Sequence, residues 1–252
     1  MKSEYINTFT GETIIYNEQY HTYTTVDGKR LLGASSYAKQ FGDEFPKEAI
    51  IYKLSKTWDM PIGDIDHMWR INSNISNCYG SAVHHAMEMW FRFNQKGVYI
   101  QGLRRMEHNY ALPKNVHIRN IVLDFVSTFG TLNGIPEATL SAIEKGMAGR
   151  TDLIVITGEK SCRIADYKTN NELDDNKLLK YQHQLSFYAD ILTHHGWTVE
   201  GLDIYHHDGN GWKHIEMTVL PVVITAFGDT SDNDTSSVLS TTGRRPPAFK
   251  GV

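Results

Sequence analysis

The stretch GRTDLIVITGEKSCRIADYKTN, residues 149–170, constrains the chain more than any other. Two β-rich apolar runs flank Gly158-Glu159-Lys160, the signature of a strand hairpin. Each run carries charge where burial should forbid it: Asp152 in the first, Asp166 and Lys168 at the end of the second. Side chains alternate across a strand, so Asp166 and Lys168 share a face with Ile164, while Tyr167 points the other way. Asp152 lies opposite them on the neighbouring strand. Two carboxylates so placed repel and raise one another's pKa unless a cation sits between them. A hard divalent ion, Mg²⁺ or Mn²⁺, resolves the conflict, because it accepts carboxylates, waters and phosphate oxygens and acidifies a bound water. Lys168 would then orient or deprotonate that water, or neutralise charge developing on a phosphate. The competing reading of the same tripeptide is a plain Asp166–Lys168 ion pair on an edge strand.

The flanking sequence supplies helices to cover such a sheet. From Pro46 to about Gln95 the pattern is mostly helical, with Val83, Met87 and Trp90 at i, i+4 and i+7 and His84, Glu88 and Phe91 on the adjacent stripe. A second helix is expected over about Asn115 to Phe129, with Ile118, Ile121, Val122, Phe125 and Phe129 inward. A third begins in DDNKLLKYQHQLSFYADILTHHG, turns Leu178, Leu185, Tyr188 and Leu192 one way, and stops at Gly196. Upstream, β-rich pieces around Asp27-Gly28 predict a hairpin leading into a helix capped by Ser35 or Ser36. Downstream, LDIYHHDGNGWKHIEMTVL predicts a closing hairpin. The expectation is an α/β fold: a small mixed sheet flanked by helices, with an N-terminal helical lobe. Residues 1–228 read as one domain, with 1–77 as hairpin and lobe and 78–228 as core, and 229–252 read as a Ser-, Thr-, Asp- and Pro-rich tail.

Composition decides what the chain is not. A formal charge of -4 over 252 residues argues against gripping nucleic acid by a positive coat, although bound cations can offset an acidic site locally. The N-terminus has no apolar core behind a basic start, and no apolar run spans a bilayer, so no membrane partner is expected and a cytoplasmic location is. Cys78 and Cys162 read as reduced, buried filler. His206, His207, Asp208 and His214 read as a hairpin with exposed histidines rather than a second metal site, and the basic GRRPPAFKGV as a solvated tail, with a docking peptide for a protein partner as its alternative.

Taken in order, Gly80 and His84 in GSAVHHAMEMW, Asp152 in GRTDLIV, Asp166-x-Lys168 in IADYKT, and Gln184 and Tyr188 in QLSFY resemble the signature of the PD-(D/E)XK nuclease superfamily, within it the RecB-like and Cas4-like exonuclease branch. YHTYTTVDGKRLLGASS is similar to the N-terminal hairpin of phage-type exonucleases and of the mitochondrial genome-maintenance exonuclease. Thr151 stands where the eponymous proline would. The resemblance implies a restriction-endonuclease-like core that hydrolyses phosphodiester bonds at DNA ends, single-stranded ends included, in phage-type replication, recombination or degradation. It implies Mg²⁺ or Mn²⁺ held by His84, Asp152, Asp166 and the Tyr167 carbonyl, Lys168 as catalytic partner, and Gln184, Tyr188, Ser81 and Arg150 as substrate-binding residues. His85, about 100° around the helix, is expected to be structural. An endonuclease on the same scaffold and a non-catalytic DNA-binding subunit remain alternatives. An iron–sulfur cluster is not expected, since it needs about four cysteines and the chain has two.

Overall fold

The computed structural model describes residues 3–43, 45–93, 112–170 and 172–224. The alternating runs form strands β1 (Ser3–Asn7), β2 (Thr13–Asn17), β3 (Thr22–Thr25), β4 (Arg30–Gly33), β5 (Gly134–Ala142), β6 (Met147–Ile156), β7 (Ser161–Lys168), β8 (Thr198–His207) and β9 (Trp212–Met217). The helices are α1 (Ala34–Ala38), α2 (Lys47–Trp58), α3 (Ile62–Phe93), α4 (Val116–Phe129) and α5 (Asp175–His194). All strands join one mixed sheet in the order β1-β2-β3-β4-β6-β7-β8-β9, with β5 paired to β6 off this path.

Local chemistry explains most boundaries. Asn115 caps α4 by accepting the Ile118 N–H at 3.1 Å, and Asp174 caps α5 by accepting the Lys177 N–H at 2.8 Å. Gly196, at φ 78°, takes the left-handed turn that ends α5. Ser35 and Ser36 do not cap α1. Its N-cap is Gly33, without a side-chain hydrogen bond, because β4 runs straight into the helix and leaves both serines inside it. Cys162 is buried as expected, whereas Cys78 is exposed on α3, since the upstream half of that helix covers less of the sheet. The tail 229–252 lies outside the described residues.

The core lies where α3 and α4 meet the sheet. Val83, Met87 and Phe91 of α3 and Ile118, Ile121, Val122 and Phe125 of α4 pack on Leu153, Ala165, Tyr167, Tyr205 and Trp212. Burial contributes about 1.5–3 kcal/mol for each large apolar group, here and under α5, where Leu185, Phe187, Ile191 and Leu192 are also buried. The alternation of β7 sends Tyr167 into this cluster and turns Asp166 and Lys168 towards α5.

Strand β6 is the branch point. Along one edge it pairs with β5 over nearly its whole length. The other edge is shared: β4 takes Met147 and Ala148, and β7 takes Leu153 to Ile156. Residues Gly149 to Asp152 therefore have no strand partner on that edge, and β6 and β7 diverge where Asp152 and Asp166 would otherwise face each other. A side chain serves this gap: the Tyr188 hydroxyl of α5 donates to the Arg150 carbonyl at 2.7 Å.

That contact requires a glycine below it. A Cβ on Gly149 would come within 2.7 Å of Tyr188 Cε1. Gly149→Ala is expected to destabilise the fold by about 1–3 kcal/mol through overpacking. Gly63→Ala, where nothing lies within 4 Å, is expected to cost nothing. Thermal unfolding of the two variants beside wild type checks the contrast.

Candidate metal centre

The fork between β6 and β7 gathers the chemistry. Asp152 Oδ2 accepts the Tyr167 N–H at 3.0 Å, standing in for a ladder bond that the diverging strands cannot make. His84, reaching over from α3, places Nδ1 3.3 Å from the same Asp152 oxygen and Nε2 2.9 Å from the Tyr167 carbonyl. Both ring nitrogens thus face acceptors, which suits the doubly protonated imidazolium. Asp166 is buried beside Asp152 and ion-paired with Lys168. The sequence places His84, Asp152, Asp166, Tyr167 and Lys168 on three separate elements, and the structure brings all five together.

It also adds a residue that sequence reading missed. Glu137 on β5 completes a group with His84 and Asp152 whose candidate ligand atoms all lie within 4.8 Å of one another. Its backbone is at φ 50°, in the left-handed region that costs a glutamate energy, and the β5–β6 ladder passes from Pro136↔Leu153 to Ala138↔Thr151 around it. A signal was present: counting back through a tight hairpin centred near Glu144 sets Glu137 opposite Asp152. It went unused because a single glutamate in an apolar strand has no motif to mark it.

Electrostatics separates these groups. Burial alone would raise Asp152, but hydrogen bonds from Asp166 and His84 and the charges of His84 and Lys168 hold it well below the carboxylate range. Burial and the neighbouring Asp152 push Asp166 up to about 8, against the pull of Lys168. Burial, then Asp152 and Glu88, raise Glu137 to about 7. Burial disfavours the charged imidazole, yet the hydrogen bond and charge of Asp152, with Asp166 behind, raise His84 to about 9. Burial likewise opposes the Lys168 charge, and Asp166 and Asp152 outweigh it, to about 12. Acids held protonated beside an imidazolium form an arrangement in which protons occupy a place suited to a cation. Oxygen donors with one imidazole fit a hard or borderline divalent ion.

These groups open onto a cleft of 670 Å³ bordered by His84, Asp152, Tyr167, Lys168, Glu137 and Tyr181, and also by Gly80, Ser81, Asn77 and Lys177. Gly80 lets α3 cross close by, since a Cβ there would sit 3.3 Å from Thr169 Oγ1. His85 also borders the cleft and is exposed, so it belongs to the wall and is not the structural side chain expected, although it stays outside the ligand group. A side chain 100° from the sheet-facing direction still reaches a groove that wide. Gln184, Tyr188 and Arg150 lie elsewhere: Gln184 is one turn before Tyr188 on α5, Tyr188 holds the Arg150 carbonyl, and the Arg150 guanidinium sits 5.3 Å over the Tyr16 ring. His206 and His214 are engaged too, with the Asn170 carbonyl at 2.5 Å and with Asp203 at 2.7 Å. Among the described residues no second group of potential ligands forms around them.

A cation entering this centre must displace protons. His84 has its folded pKa raised to about 9 and Asp166 to about 8, so both are protonated without metal below those values and must be deprotonated to ligate. Metal affinity is therefore expected to rise with pH, by about tenfold or more per unit between roughly pH 6 and 8, and to level off above about pH 9. This is higher than the ~6.5 of free imidazole. The intrinsic contribution of His84 to stability has the opposite sign, being complete at low pH and lost as pH rises through about 9. Calorimetric Mn²⁺ titration in buffers of different ionisation enthalpy measures both affinity and protons released; an affinity independent of pH would contradict the geometry.

Comparison with known proteins supplies the family. The family model of the PD-(D/E)XK nuclease superfamily matches residues 67–206, more than half of the chain, and spans His84, Glu137, Asp152, Asp166 and Lys168. No curated protein matches. Among solved structures, one described as "Crystal structure of SSO0001" is similar at 16% identity and a TM-score of 0.28, over 42% of this chain and 53% of that one. The chain thus spans about half the length of that structure. No helix among the described residues is long and apolar enough to cross a membrane. With a mixed sheet flanked by helices and its acids and lysine at the divergence of two strands, the chain belongs to the PD-(D/E)XK nuclease superfamily.

Proposed function

We propose that the chain is a Mg²⁺- or Mn²⁺-dependent deoxyribonuclease that hydrolyses phosphodiester bonds from DNA ends, as the resemblance to the RecB-like branch implies. The observation that supports it most is the meeting of His84, Glu137 and Asp152 with Lys168 at the wall of one cleft, with Asp166 buried behind and paired with Lys168. His84, Asp152, Asp166, Glu137 and the Tyr167 carbonyl would hold the cation, which when bound supplies Lewis acidity and an acidified water.

The chain's own residues do the rest. Lys168, raised to about 12, is an ammonium at neutral pH, so it acts as fixed charge and hydrogen-bond donor towards phosphate oxygens and not as the base that takes a proton from water. Ser81, Asn77, His85 and Lys177 offer the cleft hydrogen-bond donors and positive charge for a sugar-phosphate strand. Tyr188 acts from behind by fixing the β6 backbone two residues before Asp152.

The test is digestion of end-labelled linear and covalently closed circular DNA, single- and double-stranded, with Mg²⁺, with Mn²⁺ and with chelator. Linear substrates should be shortened from their ends in a metal-dependent way and circles left intact. Cutting of circles would make the chain an endonuclease, and no cleavage under any condition would leave a DNA-binding subunit. Lys168→Ala should lower kcat by about 100-fold or more with Mn²⁺ affinity retained. His84→Ala should lose metal affinity, whereas His85→Ala should keep it and raise KM, because its ring meets the cleft and not Asp152.

A further inference from the structure

Lys168 has two partners, and only one of them is also an expected metal ligand. Its Nζ is ion-paired with Asp166, and it lies 4.4 Å from the centroid of the Tyr181 ring on α5. A divalent cation drawn to Asp166 competes with the ammonium for the same carboxylate, and the smaller charge loses. An aromatic face does not enter that competition. Its quadrupole attracts an ammonium, and it offers a divalent ion no oxygen or nitrogen donor.

The position of the ring is itself fixed. Lys177, Tyr181, Gln184 and Tyr188 fall at i, i+4, i+7 and i+11 of α5, a single stripe. At the far end of this stripe Tyr188 is buried and bonded to the Arg150 carbonyl, and at the near end Tyr181 and Lys177 border the cleft. The register of α5 over β6 is thus set two residues from Asp152, and the same register delivers the Tyr181 ring to Lys168. On the other side of Lys168, His206 is its neighbour in the β7–β8 ladder and reaches the Asn170 carbonyl at 2.5 Å, which fixes the segment leaving β7.

We propose that Tyr181 is a positioning residue of the reaction: its ring face holds the Lys168 ammonium over the cleft independently of Asp166, so that the charge stays beside the substrate phosphate when Asp166 engages the cation. The inference rests on the nuclease reading given above. It assigns the work to the ring and none to the phenol hydroxyl.

Two substitutions in the full chain separate ring from hydroxyl. Tyr181→Leu keeps an apolar side chain but removes the aromatic face, and should lower kcat by about tenfold, with KM and Mn²⁺ affinity unchanged. Tyr181→Phe restores the face without the hydroxyl and should recover most of that loss. A second readout does not depend on turnover. In lysine labelled at Cε, the resonance that disappears in Lys168→Met should be displaced upfield by the ring in wild type and in Tyr181→Phe, and return to the ordinary lysine position in Tyr181→Leu. Unchanged kcat in Tyr181→Leu, equal impairment of both variants, or a Lys168 resonance indifferent to position 181 would each overturn the proposal. A wild-type chain that shortens no DNA while showing the displaced resonance would sink the nuclease reading and leave the contact standing.

Discussion

Two carboxylates set close together in a nearly dry place are the constraint on which the rest of this structure depends. Asp152 and Asp166 sit where adjacent strands would bring them face to face, an arrangement that a continuous antiparallel ladder disfavours between like charges. The strands part at that point. The backbone groups left over are served by the side chains themselves, Asp152 for the Tyr167 N–H and Tyr188 for the Arg150 carbonyl. The charge is balanced by an imidazolium from one side and an ammonium from the other. Removing either carboxylate would therefore relieve repulsion and, for Asp152, unseat a backbone donor at the same time.

The sequence made much of this legible because the site is built from motifs that are local. Asp152, Asp166 and Lys168 fall on one hairpin, and strand alternation alone decides which side chains share a face. Asn115 and Gly196 mark helix ends by chemistry that acts within one turn. What escaped was non-local or depended on small angles. Glu137 reaches the centre only through a backbone conformation that no propensity favours for glutamate. His85 was assigned by rotation about a helix axis, and rotation says nothing about how wide the neighbouring groove is. Gln184 and Tyr188 were expected to bind substrate, but their helical face runs from the cleft down to the β6 backbone, and only the register of α5 decides which residue meets which. Ser35 and Ser36 misled because a strand that enters a helix without a loop leaves no room for a separate cap.

The helix that brings His84 to the fork has a mechanical consequence. α3 is unbroken over 32 residues and crosses the segment after β7 at Gly80, where a Cβ would already be tight against Thr169. From that crossing the helix extends about 27 Å back to Ile62 but only about 6 Å forward to His84, at 1.5 Å of rise per residue. Beyond that crossing Val83, Ala86, Met87 and Phe91 are buried, whereas before it only Ile65 is, so the imidazole sits on the anchored arm of the helix. The position of the ring is therefore set by the packed arm and is independent of the exposed faces of the other. Anchorage and exposure, which a shorter helix on a loop would have to trade against each other, are here divided between the two arms of one element.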